Sequence, residues 1–253
     1  MTNTSRLWKV LAALMVVSFG ILLYFGREIY IAAPPIPTAV KTTTGETLFT
    51  REQYDIGRQV WQRVGGHQMG SIWGHGSYVA PDWSADWLHR EATALLELWA
   101  QRDSGKAYAD LDAVQQAGLQ ARLQQTMREN TYDPATGVIT VDADRAQAIR
   151  QVNDHYMRLF GPDVELNTLR AQYAIQQNPI PDVEQRQAMM AFFFWTSWSA
   201  STNRPDNTIT YTSNWPSEPL VGNVPTTSTY LWTFISIFGL LAGVGALAWY
   251  YVA

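Results

Sequence analysis

Apolar positions fall into three patterns along the chain. Leu7 to Gly26 is an almost continuous apolar run, uncharged from Val10 to Phe25, with Lys9 at its start able to snorkel towards headgroups. Tyr230 to Ala253 is a second run without any charge, and at about 1.5 Å per residue its length of roughly 36 Å exceeds a hydrocarbon core of about 30 Å. Between them the pattern becomes mixed and mostly helical in period. Thr50, Arg51, Glu52 and Gln53 fit a capping box, and Ile56, Val60 and Val64 predict a helix over 51–64, ended by Gly65 and Gly66. Ser84 is placed to cap a second helix with Leu88, Leu95, Leu98 and Trp99 on one face. Asp103 or Ser104 opens a third, with Tyr108, Leu111, Leu119, Leu123 and Met127 inward. Asp142 caps a fourth, whose stripe is Ile149, Val152, Tyr156, Leu159 and Phe160, stopped by Gly161 and Pro162.

Two segments break this rhythm. Thr131–Tyr132 and Val138–Val141 flank the turn sequence DPATG and predict a small β-hairpin. From Val183 to Ser199, Met189, Met190, Phe192, Phe193, Phe194, Trp195 and Trp198 cover nearly every face of a helix. Such a helix requires burial on several sides. Glu184, Arg186 and its polar exit distinguish it from a third span.

The fold class expected is therefore a mostly α membrane protein. Two transmembrane helices flank an external domain carrying a small β-hairpin, with boundaries at 1–30, 31–225 and 226–253. Prolines 34, 35 and 37 stiffen the exit from the first span, and prolines 216, 219 and 225 the approach to the second. Arg6, Lys9 and the small pair Ala32–Ala33 also suit a signal peptide. The apolar run is long for one and Arg27–Glu28 intervenes, so an uncleaved anchor is expected. Positive charge before the first span puts the N-terminus in the cytoplasm and the central domain outside, in the periplasm for a bacterial inner-membrane protein. The lipid bilayer is thus an expected partner.

Composition narrows the chemistry. The chain has 253 residues, 16% charged, and a net charge of −4; outside the spans, 15 basic and 21 acidic side chains give −6, which disfavours nucleic acid. The absence of cysteine excludes disulfides, thiolate metal sites, cysteine nucleophiles and thioether haem attachment. His67, His75 and His89, with Asp82, Asp86 and Glu91, are the residues from which a metal site could be built. Their spacing matches no ligand motif, so no metal residues are assigned. His155 adjoins a core stripe and reads as structural. Gly70, Gly74 and Gly76 mark sharp turns rather than a phosphate loop, lacking a preceding strand and a following Lys-Ser/Thr. Trp73, Tyr78, Trp83, Trp87 and Trp99 read as core aromatics. No catalytic residue is assigned.

The stretch Gly70 to Glu91, GSIWGHGSYVAPDWSADWLHRE, resembles the N-terminal part of quinol-dependent bacterial nitric oxide reductases. The resemblance continues through FFFW at 192–195, STNRP at 201–205 and YTSNWP at 211–216, into the second span. It implies a cytochrome-c-like external domain, similar to the cytochrome subunit of two-subunit reductases. Gly57 and Trp61 fall on that subunit's helix positions and Gly74 to Asp82 on its loop. The attachment motif of haem c falls on Gly66, His67, Gln68, Met69 and Gly70, so by resemblance the domain has lost its haem, and aromatic and aliphatic side chains take its volume. In the complete enzyme the resemblance implies quinol as electron donor, haem b with non-haem iron as cofactors, and reduction of two nitric oxide molecules to nitrous oxide and water. This chain itself is expected to carry no cofactor. It is expected to be an interrupted, non-catalytic portion, with the missing catalytic transmembrane bundle as its partner. A two-span protein with a ligand-binding external domain, and a metalloenzyme using the histidine-rich loop, are the alternatives.

Overall fold

A computed structural model describes residues 4–74, 76 and 79–252. The chain divides into two units, Met1–Pro35 and Ile36–Ala253. The first is a single helix, α1 (Thr4–Ile31), without a buried residue. The second holds every other element and ends in α8 (Thr227–Val252), whose described side chains are likewise all exposed. Both helices are long and apolar enough to cross a membrane, so the chain reads as a membrane protein. The fold class expected from the sequence stands: mostly helical, with one small sheet between two candidate spans.

The sheet is larger than the sequence pattern suggested. The hairpin of β3 (Tyr132–Asp133) and β4 (Val138–Val141) is present and antiparallel. A second antiparallel hairpin, β1 (Ala39–Thr42) with β2 (Thr47–Thr50), joins it through parallel pairing of β1 with β4, giving the order β2-β1-β4-β3. Four-residue strands are too short for alternation alone to reveal them, although Val40 and Thr42 do turn inward.

Helix α2 (Arg51–Arg63) starts at the expected capping box. The Gln53 N–H donates to Thr50 Oγ1 at 3.2 Å and the Thr50 N–H to Gln53 Oε1 at 2.9 Å. Its inward face is Tyr54, Gly57, Val60 and Trp61; Ile56, expected inside, is 39% exposed. Tyr54 and Trp61 offer more area to bury, and they set the face.

Helix α3 (Trp83–Ser104) is capped by Asp82, one residue before its start, whereas Ser84 is buried inside it; Leu98 lies at the edge of the inward face that Trp87, Leu88, Leu95 and Trp99 occupy. Neither Asp103 nor Ser104 opens a new helix, because α3 runs through them to Gly105. Helix α4 (Ala113–Arg128) begins at Asp112 with its own capping box to Gln115, leaving Tyr108 in a 3-10 turn. Helix α5 (Ala143–Leu159) follows the expected Asp142 cap, and all five stripe residues are buried. After the short α6 (Asn167–Gln172) comes α7 (Val183–Ser201), which buries every residue from Ala188 to Ser201. Three of its hydroxyls are satisfied within the helix: Thr196, Ser199 and Ser201 donate to the carbonyls of Phe193, Trp195 and Trp198.

Helices α2 and α7 meet at Gly57. A β-carbon there would lie 2.0 Å from the Ala188 carbonyl oxygen and 2.9 Å from Met189 Cα, so only hydrogen fits between the backbones. Gly57→Val must push the helices apart. We expect a loss of about 3 kcal/mol or more, at the upper end of overpacking costs, read as a lowered denaturant midpoint of tryptophan fluorescence in detergent-solubilised chain.

Candidate functional site

The segment that resembles a haem-attachment site leaves α2 at Val64 and forms a 3-10 turn at Gly66–Gln68. His67 is exposed and sets its ring edge-on to Trp61, 5.1 Å between centroids. Met69 is half-buried and Gly70 is buried. Gly70 adopts φ 147°, a conformation that disfavours any side chain, and a β-carbon on it would lie 2.2 Å from Trp83 Nε1. The Trp83 indole therefore occupies the space into which a side chain at position 70 would project. Trp61 Nε1 donates to the Gly70 carbonyl at 3.3 Å and fixes the segment from the other side.

Asp82 organises the loop that follows. Its Oδ2 accepts from Ser71 Oγ and the Gly74 N–H, each at 2.6 Å, while Oδ1 accepts from the Ala85 N–H at 3.0 Å and from the Ser84 hydroxyl. Ser71 Oγ in turn receives the Gly76 N–H at 2.8 Å, and Ser84 Oγ the Trp73 N–H at 2.9 Å. Trp73 and Trp215 peg the loop down by donating to the carbonyls of Thr196 and Gly74. One carboxylate thus caps α3 and closes the glycine-rich turn; the glycines serve turning, as their sequence suggests.

Asp86, Glu91 and His89 are also committed elsewhere. Asp86 accepts from Arg90 Nε at 2.8 Å and from the Tyr156 hydroxyl at 2.5 Å. Glu91 accepts from Trp87 Nε1 at 3.0 Å and from Arg145 Nε at 2.8 Å, with both partners of this ion pair buried. His89 Nδ1 lies 2.8 Å from Glu218 Oε2. His75, like Tyr78, lies outside the described residues. Among the described residues no three His, Asp or Glu side chains come together as a metal site.

Behind the loop the core is a continuous aromatic assembly. Trp83 stacks on Phe193 with 13° between planes and Trp87 on Tyr156 with 8°, and Phe160 closes the group edge-on to Trp83. Phe192, Trp195 and Tyr54 continue it to Trp61 and Trp73. Burial and the Asp86 carboxylate raise the Tyr156 hydroxyl well above its ordinary pKa, so it remains a donor to Asp86. His155 is lowered to about 4, by burial first and by Arg90 second, and it lines a cleft of about 490 Å³ between α3 and α5 together with His89, Arg90, Glu97 and Gln151.

Residues 37–217 match the sequence profile of the NorB cytochrome c-like domain of nitric oxide reductase. The chain belongs to this family. No curated protein matches it. A cytochrome c-like domain implies haem c, and this NorB-type domain does not fit that group. The chain has no cysteine to form a thioether. At Gly70, where the sequence resemblance puts the haem ligand, a larger side chain cannot be accepted while Trp83 stands against it. A cleft of about 320 Å³ beside the segment is lined by Met69, Val64, Gln68 and Ile175 among others, and none of its described lining residues is histidine. What the arrangement does provide is a closely packed aromatic scaffold, in which the Ser71 and Ser84 hydroxyls that donate to Asp82 also accept backbone N–H groups of the loop.

Several residues that hold this scaffold escaped the sequence pattern. Arg145 and Arg170 are buried, and Arg170 donates to the carbonyls of Arg158, Leu159, Gly161 and Asp163 and to Asn167 Oδ1. Nothing in helical spacing distinguishes a buried arginine from a solvated one.

Two outcomes follow from these environments. Glu91→Gln should destabilise the folded chain by about 3–5 kcal/mol by leaving Arg145 unpaired in the core, whereas Glu91→Leu with Arg145→Met should recover part of the loss in the same denaturant titration, the Trp87 indole N–H then lacking its acceptor. His155 is harder to protonate folded than unfolded, so the unfolded state binds more protons from about pH 6.5 down to about pH 4. Stability should fall as the pH drops through that window and level off in this component below it. Subtracting the His155→Gln profile from the parent profile isolates the effect, and two parallel profiles would contradict it.

Proposed function

We propose that this chain supplies the haem-free, non-catalytic external portion of a quinol-dependent nitric oxide reductase. In the complete enzyme two nitric oxide molecules, two electrons and two protons give nitrous oxide and water. The observation that carries the proposal is the Gly70–Trp83 contact, because an indole fills the space a haem-ligating side chain would need. A domain that receives electrons from a soluble carrier needs a redox group near its surface. A reductase fed by a lipid-soluble quinol takes its electrons within the bilayer, and its external domain is free to trade porphyrin for packed aromatics.

The domain would then act as a cap. α1 and α8 anchor it, with the N-terminus in the cytoplasm and the domain in the periplasm, following the positive charge of Arg6 and Lys9. Haem b and non-haem iron would belong to a partner transmembrane bundle: α8 has no His, Asp or Glu, and α1 has no His. A metalloenzyme built on the histidine-rich loop finds little support, since Asp82, Asp86 and Glu91 are spent on protein donors.

Expression in cells that mature c-type cytochromes tests the proposal. The purified chain should show no covalently bound haem and no nitric oxide turnover, and it should co-purify with a membrane partner bearing haem b from a host that respires nitric oxide. Stoichiometric haem in the 37–217 domain, or turnover by the chain alone, would sink it.

A further inference from the structure

The connection from Asn203 to Val224, between α7 and α8, is irregular apart from a single turn at Pro219–Val221, and Asp206, Ser213, Asn214 and Gly222 all have positive φ. Its backbone hydrogen bonds are local: short turns such as Ser213 N–H to the Thr210 carbonyl and Trp215 N–H to Thr212, and two isolated bridges, Asn203 with Thr210 and Glu218 with Asn223. Ties of this range hold each turn without joining one to the next, and Arg128 joins them. Arg128, the last residue of α4, sends Nη2 to the Thr208 carbonyl at 2.8 Å and to Asn214 Oδ1 at 3.0 Å. Its Nη1 reaches Asn223 Oδ1 at 3.0 Å and the carbonyls of Val221 and Gly222, each at 3.3 Å. The Arg128 carbonyl accepts from the Asn203 N–H at 3.0 Å, so the start, middle and end of the connection meet at a single residue.

Among the described residues no carboxylate pairs with Arg128, and its partial burial works against its charge. A guanidinium in this position is satisfied only by the folded connection, and five acceptors in two directions suit its planar fork and no other side chain. The polar groups it organises reach both neighbouring helices. Buried Asn223 donates to the carbonyls of Ala200, in α7, and Pro216. Asn214 Nδ2 donates to the carbonyl of Val224, three residues before α8 begins.

We propose that Arg128 is a latch that turns this connection into a rigid strut, so that α8 and the external domain move as one body. The proposal does not depend on the assignment as a quinol-dependent enzyme. The absence of native cysteine allows a direct test: nitroxides on Gln101→Cys in α3 and Leu231→Cys in α8 report the distance between domain and span in the full chain in nanodiscs. Arg128→Met should broaden that distribution and speed amide exchange over 204–224 by about tenfold or more, leaving α2, α3 and α7 protected. Arg128→Lys, which keeps the charge and loses the fork, should fall between. If Arg128→Met fails to fold, Asn214→Gly keeps the positive φ and removes one acceptor of the guanidinium together with that side chain's own bonds to the Thr210 N–H and the Val224 carbonyl, and the same two readings should shift in the same sense. An unchanged distance distribution, or loss of protection spread evenly over the domain, overturns the proposal.

Discussion

A helix that is apolar on every face is stable outside lipid only when other elements wrap it, and the domain between the spans is built around that requirement for α7. α2 lies against it closely enough that Gly57 has no room for a β-carbon. α3, α5 and the sheet cover the rest, through Trp83 on Phe193 and Phe49 on Phe194. The hydroxyls of Thr196, Ser199 and Ser201 do not disturb this packing because each donates back to its own helix. Residues elsewhere gain their positions from the same demand: Trp73 reaches α7 through Thr196, and Asn223 reaches it through Ala200.

The polar interior follows from the apolar one. Packing large aromatics around α7 brings α3 and α5 together, and the charged side chains at their contact are held in matched sets. Glu91 with Arg145 and Asp86 with Tyr156 and Arg90 are such matches. The carboxylates that looked available for metal chemistry are the ones the core consumes. This is why the His and Asp/Glu richness of residues 67–91 does not become a metal centre among the described residues.

Legibility in the sequence follows locality. Capping at Thr50 and Asp142, the stripe from Ile149 to Phe160, the two long apolar runs and the all-round hydrophobicity of 183–199 are determined within a turn or two of helix, and they emerge as expected. The inward face of α2 departs from its aliphatic spacing because Ile56 and Tyr54 compete, and the larger ring wins through contacts with Phe192 and Trp195 far along the chain. Asp82 replaces Ser84 as the cap because it also serves Ser71 and Gly74, a role visible only once the loop is folded. The pairing of β1 with β4 joins residues about a hundred positions apart, and strands of four residues carry too little pattern to announce it. At the haem-like segment, the missing cysteines can be read directly. The neighbour that fills the place beside Gly70 cannot.

That neighbour limits what single substitutions can achieve. Installing two cysteines and a histidine at positions 66–70 would not by itself create an electron carrier, because the Trp83 indole, stacked on Phe193, would first have to vacate its seat. Each such change taken singly would cost stability without yielding a pigment, so the interior beside Gly70 is closed to stepwise conversion into a coloured protein.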